Sequence, residues 1–147
     1  MTLATEEKVI NQKETSISFC VKKLNKGTAE CEAMLGDKVI CSCKVNSNIS
    51  MWTIVSWFTN EEFQGNGIGK KTLAQTLYCL YKNTGAPKEI KYIWNGMNSY
   101  VLEWMERHFD AKSLCPIAVQ KKQADDDWES HIYDLDVAKT LAYFEIA

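Results

Sequence analysis

The sequence has only two histidines, no C-x-x-C pair, no surplus of positive charge and no long apolar run. Each shortage removes a class of function. A structural zinc site takes closely spaced Cys and His ligands, and His108, His131 and six scattered cysteines do not provide that spacing, so no metal is expected. With 17 Lys and Arg against 19 Asp and Glu, the net charge is −2. A chain so balanced has no field with which to hold a polyanion by counterion release, so nucleic acid is not an expected partner. No segment approaches the roughly 18 apolar residues of a membrane helix. Met1 to Ile10 carries Glu6, Glu7 and Lys8 where a secretory signal would be apolar. The expected compartment is the cytoplasm, with no membrane contact. The cysteines there are expected to stay reduced and mostly buried, Cys41 and Cys43 sharing one strand face with Val39 and Val45.

What the chain does have is 147 residues, 46% of them hydrophobic, enough for one domain over 1–147 with residues 1–15 as an irregular or helical extension. Ser16 to Val21 alternates as a half-buried strand does. Ala29 to Leu35 alternates again, Gly36-Asp37 supplies a tight turn, and Lys38 to Val45 returns antiparallel. After a polar loop over Asn46 to Ser50, Met51 to Thr59 is too apolar for one solvated face and reads as a central strand. From Gly67 the period becomes helical, through Ile68, Leu73, Leu77 and Leu80, until Asn83, Gly85 and Pro87 end it. Glu89 to Trp94 is a strand, and Asn98 caps a second helix running to His108. Ser113 to Val119 and His131 to Val137 are expected as two closing strands. The pattern predicts an α/β (α+β) fold: a mixed, mostly antiparallel central sheet with helices packed on both faces.

The most informative residues are Gln64-Gly65-Asn66-Gly67-Ile68-Gly69-Lys70. Three alternate glycines where a strand gives way to a helix strip side chains from backbone that something must approach. The first amides of a helix lack internal partners and sit at the positive end of its dipole, so a diphosphate is a natural guest. The order of residues is not that of a P-loop, which would need Gly at Gln64 and Ser or Thr at Lys71. Nor is it the dinucleotide fingerprint, whose third glycine would fall on Lys70.

Gln64 to Gly69 matches the Gln/Arg-x-x-Gly-x-Gly/Ala signature of the GNAT N-acyltransferase superfamily, and the strand before it and helix after it stand where that family has them. The resemblance covers about Trp52 to Val119. It implies acetyl-coenzyme A as the cofactor and direct transfer of its acetyl group to a primary amine of an unidentified acceptor, a small molecule or a protein amine. By position it also implies that Trp57, Phe58 and Thr59 offer strand backbone to the pantetheine arm. Gln64, Gly65, Asn66, Gly67, Ile68, Gly69 and Lys70 would then form the pyrophosphate loop, with Asn98 beside the arm.

The chemistry is less complete. Many members of the family carry a tyrosine acid seven residues after the helix-opening asparagine, and some a carboxylate base five residues before it. Here those places hold Met105 and Ile93. A thioether cannot donate a proton. Tyr100, in the first turn of the second helix, and His131, which shares a strand face with Glu129 and Tyr133, are the substitutes. Cys115 is a further thiol, and His108, among charged neighbours, is expected in solvent. The missing acid and base also favour a second reading, a non-catalytic acyl-coenzyme A binding or regulatory module. The family usually places two helices between its first two strands, whereas only Lys22 to Gly27 is available here. That leaves the acceptor side open for a bulky acceptor or for a partner chain such as a second copy in a homodimer.

Overall fold

The computed structural model describes residues 16–96, 98–114 and 131–146. In chain order the elements are β1 (Ile17–Leu24), β2 (Thr28–Leu35), β3 (Lys38–Asn48), β4 (Met51–Thr59), a 3-10 turn (Glu61–Phe63), α1 (Ile68–Thr84), β5 (Glu89–Ile93), α2 (Ser99–Phe109), β6 (Lys112–Ser113), β7 (Ile132–Leu135) and α3 (Val137–Tyr143). The seven strands form one mixed sheet ordered β1-β2-β3-β4-β5-β7-β6. Only the β4–β5 pair is parallel.

Small residues on β2 explain how α1 comes to lie on the sheet. Ala29, Cys31 and Ala33 are fully buried, and their short side chains let Leu73, Leu77 and Leu80 of α1 settle over β2 and β3. Leu102, Met105 and Phe109 of α2, with Leu141 of α3, join the same continuous core around Trp52, Ile54 and Tyr92. The three described helices therefore share one side of the sheet. On the other side Lys22 lies near Glu30 and Glu32 of β2, and Lys91 of β5 is held by Glu89 at 2.8 Å and Asp134 at 2.9 Å.

Besides a slip that leaves Lys22 extra on β1, two bulges correct the simple alternation. β2 and β3 slip between Ala33↔Cys41 and Met34↔Val39, which makes Ile40 the extra residue. Ile40 turns into the core and Val39 is left 44% exposed, so Val39 does not share the buried face of Cys41, Cys43 and Val45. The second bulge makes Val55 extra on β4, between Ile54↔Val45 and Ser56↔Lys44.

The expected polar loop over Asn46 to Ser50 is mostly strand. Thr28 donates to the Asn46 side chain, Ser47 N–H donates to the Gly27 carbonyl, and the chain turns only at Ile49 and Ser50. Those two residues have φ of 43° and 67°, the left-handed region that a tight hairpin demands and a β-branched side chain resists. Ile49 is 89% exposed, so its side chain contributes no packing. Replacing Ile49 by Asn and Ser50 by Gly is expected to raise unfolding stability by about 1–2 kcal/mol. A urea midpoint that does not move would contradict the strain argument.

The last expected strand is also corrected. β7 ends at Leu135, and Asp136 caps a helix by accepting from Lys139 N–H at 2.9 Å. A capping aspartate ahead of Val137 to Tyr143 is a helix start, and Val137, Leu141 and Phe144 face the core at helical spacing. Of the strand expected over Ser113 to Val119, the structure has Lys112–Ser113, and Cys115 to Val119 lie outside the described residues.

Candidate functional site

The sheet opens at the middle of β4. Its parallel ladder with β5 runs from Met51↔Glu89 to Ile54↔Tyr92 and then stops, whereas its ladder with β3 continues to Thr59↔Cys41. The Val55 bulge sits where the two sides part company. Among the described residues, no strand pairs with the β5-side edge of Val55 to Thr59. An extended ligand with amide groups could pair there as a strand does.

Past Thr59 the chain is tied down locally. Asn60 caps the 3-10 turn by accepting from Glu62 N–H, Gln64 reaches back with its side-chain amide to the Thr59 carbonyl at 3.1 Å, and Asn66 donates to the Phe63 carbonyl at 3.4 Å. Gln64 and Asn66 thus brace the turn with their side chains. The three glycines have two different duties. Gly65 and Gly67 adopt φ of 86° and 81°, with nothing within 4 Å of where a Cβ would stand. A Cβ on Gly69 would stand 2.9 Å from Thr59 Oγ1 and 3.6 Å from Trp57 Nε1. Gly69 therefore lets α1 touch β4, and Trp57 Nε1 fixes that contact by donating to the Gly69 carbonyl at 3.0 Å.

The start of α1 is unusual in its charge. Its N-cap, Gly67, makes no side-chain capping bond, and its first turn contains no acid. The first helical bond to Gly67 is Lys71 N–H to the Gly67 carbonyl at 3.1 Å, which leaves the amides of Ile68, Gly69 and Lys70 without helical partners. Lys70 and Lys71 stand where the dipole disfavours cations, an arrangement that costs stability unless an anion offsets it.

The structure places the remaining expected residues as follows. Trp57 and Thr59 face α1, while Phe58 is on the opposite side of the sheet and 60% exposed. Asn98 caps α2: its side-chain oxygen accepts from Tyr100 N–H at 3.1 Å, and its carbonyl accepts from Trp94 Nε1. Met105 has no exposed surface and belongs to the core, so that position of α2 presents nothing to a cleft. Tyr100 is 73% exposed. His131 is half-buried across from the end of β5. Its carbonyl accepts from Trp94 N–H, its ring stands edge-on to Trp94 at 5.9 Å, and its Nδ1 is buried with no hydrogen-bond partner among the described residues. Tyr133 meets the same Trp94 ring at 6.4 Å, and burial, with the Glu106 carboxylate, pushes its hydroxyl pKa up. Glu129 and Cys115 lie outside the described residues.

One expectation is overturned. His108 is not in open solvent but half-buried, 5.7 Å from the Trp104 ring and 5.0 Å from Tyr143. Its four-residue spacing from Trp104 on α2 was visible in the sequence. The partner ring was not, because it arrives on α3.

Burial pushes the Cys31 thiol up to about 11 and the Cys43 thiol higher still, which suppresses the thiolate form of both. Among the described residues, no group of three His, Cys, Asp or Glu side chains is placed to hold a metal ion, and no helix is long and apolar enough to cross a membrane.

No family model and no curated protein sequence matches this chain. Its architecture is that of the GNAT acetyltransferases. A GNAT acetyltransferase from Staphylococcus aureus Mu50 superposes with a TM-score of 0.59 at 11% identity, over 91% of this chain and 79% of that one. The PaiA N-acetyltransferase of Thermoplasma acidophilum, solved in complex with coenzyme A, gives 0.56 at 13% identity, over 75% of this chain and 61% of that one. A GNAT acetyltransferase from Elizabethkingia anophelis with acetyl-CoA bound gives 0.50 at 14% identity, over 81% and 95%. At these identities the likeness is one of fold.

Proposed function

We propose that this chain is an acyltransferase that binds acetyl-coenzyme A and passes the acetyl group directly to a primary amine. The observation that carries this reading is the start of α1: unpaired amides, a side-chain-free bend and two lysines in place of the usual acids. Such a site suits a diphosphate. The unpaired edge of Val55 to Thr59 leads from that turn into the opened sheet and suits the two amides of a pantetheine arm. Gly65 to Lys70 would hold the pyrophosphate, braced by Gln64 and Asn66. Trp57, Phe58 and Thr59 would lend backbone to the arm, beside Asn98. Neighbours of this fold solved with coenzyme A or acetyl-CoA support the choice of cofactor.

In the transfer, the amine nitrogen attacks the thioester carbonyl carbon, the carbon–sulfur bond breaks, and the amine proton must leave while the thiolate gains one. His131 is proposed as the group that takes the amine proton, because its buried Nδ1 has no partner among the described residues. Tyr100 is the proposed donor to the thiolate, from the first turn of α2. Only Asn25, Lys26 and Gly27 separate β1 from β2, so no helices from that connection wall off the sheet face opposite the helices. That openness suits a bulky acceptor or a second copy of the chain.

The burial of Met105 favours a second reading, a binder without turnover. Calorimetric titration with acetyl-CoA, followed by thiol release in the presence of a panel of primary amines, separates the two. The expected outcome is saturable binding at one site and amine-dependent release of free thiol. Binding with release at background would leave the binder, and no binding would remove both readings.

A further inference from the structure

β1 is the terminal strand of the sheet, and among the described residues no strand pairs with its outer edge. Such an edge is a row of free N–H and C=O groups. Phe19, Val21 and Leu24 stand opposite Ala33, Cys31 and Ala29 of β2, so they share the side of the sheet on which α1 lies. Val21 and Leu24 nevertheless remain 43% and 44% exposed. α1 runs beside them, because the Lys71 ammonium lies 5.8 Å from the centre of the Phe19 ring and, at the far end, Asn83 donates to the Asn25 carbonyl at 3.2 Å. Lys71, Gln75, Tyr78 and Lys82 form the stripe of α1 next to this edge. Tyr78 is 49% exposed with the Lys82 ammonium 5.6 Å from its ring centre, and Gln75 Oε1 is buried with no hydrogen-bond partner among the described residues. The result is a shallow apolar groove with a lysine towards each end, a spare acceptor in its wall and a strand edge along its side.

Charge is segregated here. Ser16 to Gly27 and α1 together hold Lys22, Lys23, Lys26, Lys70, Lys71 and Lys82, six of the chain's 17 Lys and Arg, and none of its 19 Asp and Glu. Glu30 and Glu32 of β2 project from the other face of the sheet, where the Lys22 ammonium lies 3.8 Å and 3.4 Å from them.

We propose that the outer edge of β1 takes an extended acidic segment of another protein as an added strand, with its apolar side chains laid in the groove against α1. This goes beyond the cofactor reading and stands without it. A polypeptide fits because its backbone presents donors and acceptors in the alternation that a strand edge offers, and Gln75 Oε1 is an acceptor for one more N–H. Phosphate chains and lipid headgroups meet lysines but not that row. Lys71 and Lys82 are eleven positions apart, about 16 Å along the helix, and their side chains lean inward over Phe19 and Tyr78. Carboxylates four positions apart on one face of a strand, about 13 Å, with an apolar residue between them, reach both lysines. A second copy of β1 is a poor occupant, because it would bring together Lys22, Lys23 and Lys26 from each chain, and the slip at Lys22 bends the edge.

The test uses an N-acetylated, C-amidated peptide, Thr-Glu-Thr-Val-Thr-Glu-Thr, which has no primary amine and so is no acetyl acceptor. Titrated into the full chain and followed by amide nitrogen–proton spectra, it is expected to shift Phe19 to Leu24 saturably. The same peptide with Gln in place of both Glu binds about fivefold more weakly, as two exposed charge pairs give. In the Lys71→Gln, Lys82→Gln double variant that preference falls to near one. Lys82→Gln alone, at the end of α1 remote from the glycine turn, is expected to lower the preference about twofold and keeps the test decisive if Lys71→Gln disturbs the helix start. Two further peptides keep both carboxylates and carry N-methyl groups on one or the other alternate set of residues. One set turns its N–H groups towards β1, so one of these peptides loses binding and the other keeps it. Absence of shifts at Phe19 to Leu24, equal affinity for the Glu and Gln peptides, a preference unmoved in the variants, or N-methylation without effect in either set overturns the proposal. So does a single-stranded oligonucleotide or a phosphatidylserine vesicle that moves the same amides at lower concentration than the peptide, since the groove would then serve another class of ligand.

Discussion

Gly69→Val is expected to lower acetyl-CoA affinity by about a hundredfold and to destabilise the protein in the same variant. The reason lies in how closely α1 meets β4. The added Cβ would lie 2.9 Å from Thr59 Oγ1 and 3.6–3.7 Å from two atoms of the Trp57 ring, all on a strand paired with β3 as far as Thr59. The strand cannot yield, so the helix start must move away. The bond from Trp57 Nε1 to the Gly69 carbonyl is then stretched or lost. Overpacking of this kind costs about 1–3 kcal/mol in stability. A shift of the first amides by a fraction of an ångström would also disturb the diphosphate site proposed for them, and a loss of about 3 kcal/mol in binding corresponds to the hundredfold. Gly65→Ala is the contrast: its Cβ meets nothing within 4 Å, so the cost is confined to a left-handed φ of 86°, about 1–2 kcal/mol. Calorimetry and thermal melts on both variants check the difference. Wild-type affinity in Gly69→Val would show that the turn does not bind the cofactor.

Phe109→Ala is expected to cost about 3–5 kcal/mol, the range for deleting a fully buried ring. Phe109 ends α2 with no exposed surface, and its ring meets Trp104 at 5.1 Å, Tyr143 at 5.4 Å and Phe144 at 5.8 Å. Its carbonyl also accepts from Asp136 N–H at 2.8 Å, at the start of α3. Its loss therefore loosens α2 and α3 together. That is a large share of the roughly 5–15 kcal/mol that holds a domain of this size. Urea unfolding monitored by circular dichroism measures it, and a loss below about 1 kcal/mol would mean that α3 is not held through this ring.

The parts that were legible in the sequence are those with a local physical cause. Alternation marked the first strands, the shift to helical period at Gly67 marked α1, and alternate glycines ahead of that helix marked the turn. The sequence did not distinguish Gly69 from Gly65 and Gly67, because a close approach between helix and strand is a tertiary fact and a positive φ a local one. Nor did it reveal the bulges at Ile40 and Val55, since one extra residue in a strand leaves composition unchanged and only inverts the faces beyond it. The second of these matters for function, because β4 and β5 separate there. α3 was missed for a different reason: Asp136 and the Val137, Leu141, Phe144 spacing were visible, but the apolar alternation of Tyr133 and Leu135 continued to Val137 and was followed past the end of the strand. His108 was misjudged with it, because the ring that covers His108 belongs to α3.

The most direct test of the central claim is an amide nitrogen–proton correlation spectrum of the protein titrated with coenzyme A. The unpaired N–H groups of Ile68, Gly69 and Lys70 should shift markedly and saturably, together with those of Trp57 to Thr59, while titration with inorganic sulfate at the same ionic strength leaves the second group in place. Saturable binding that moves amides elsewhere and leaves Ile68 to Lys70 unmoved would contradict the account.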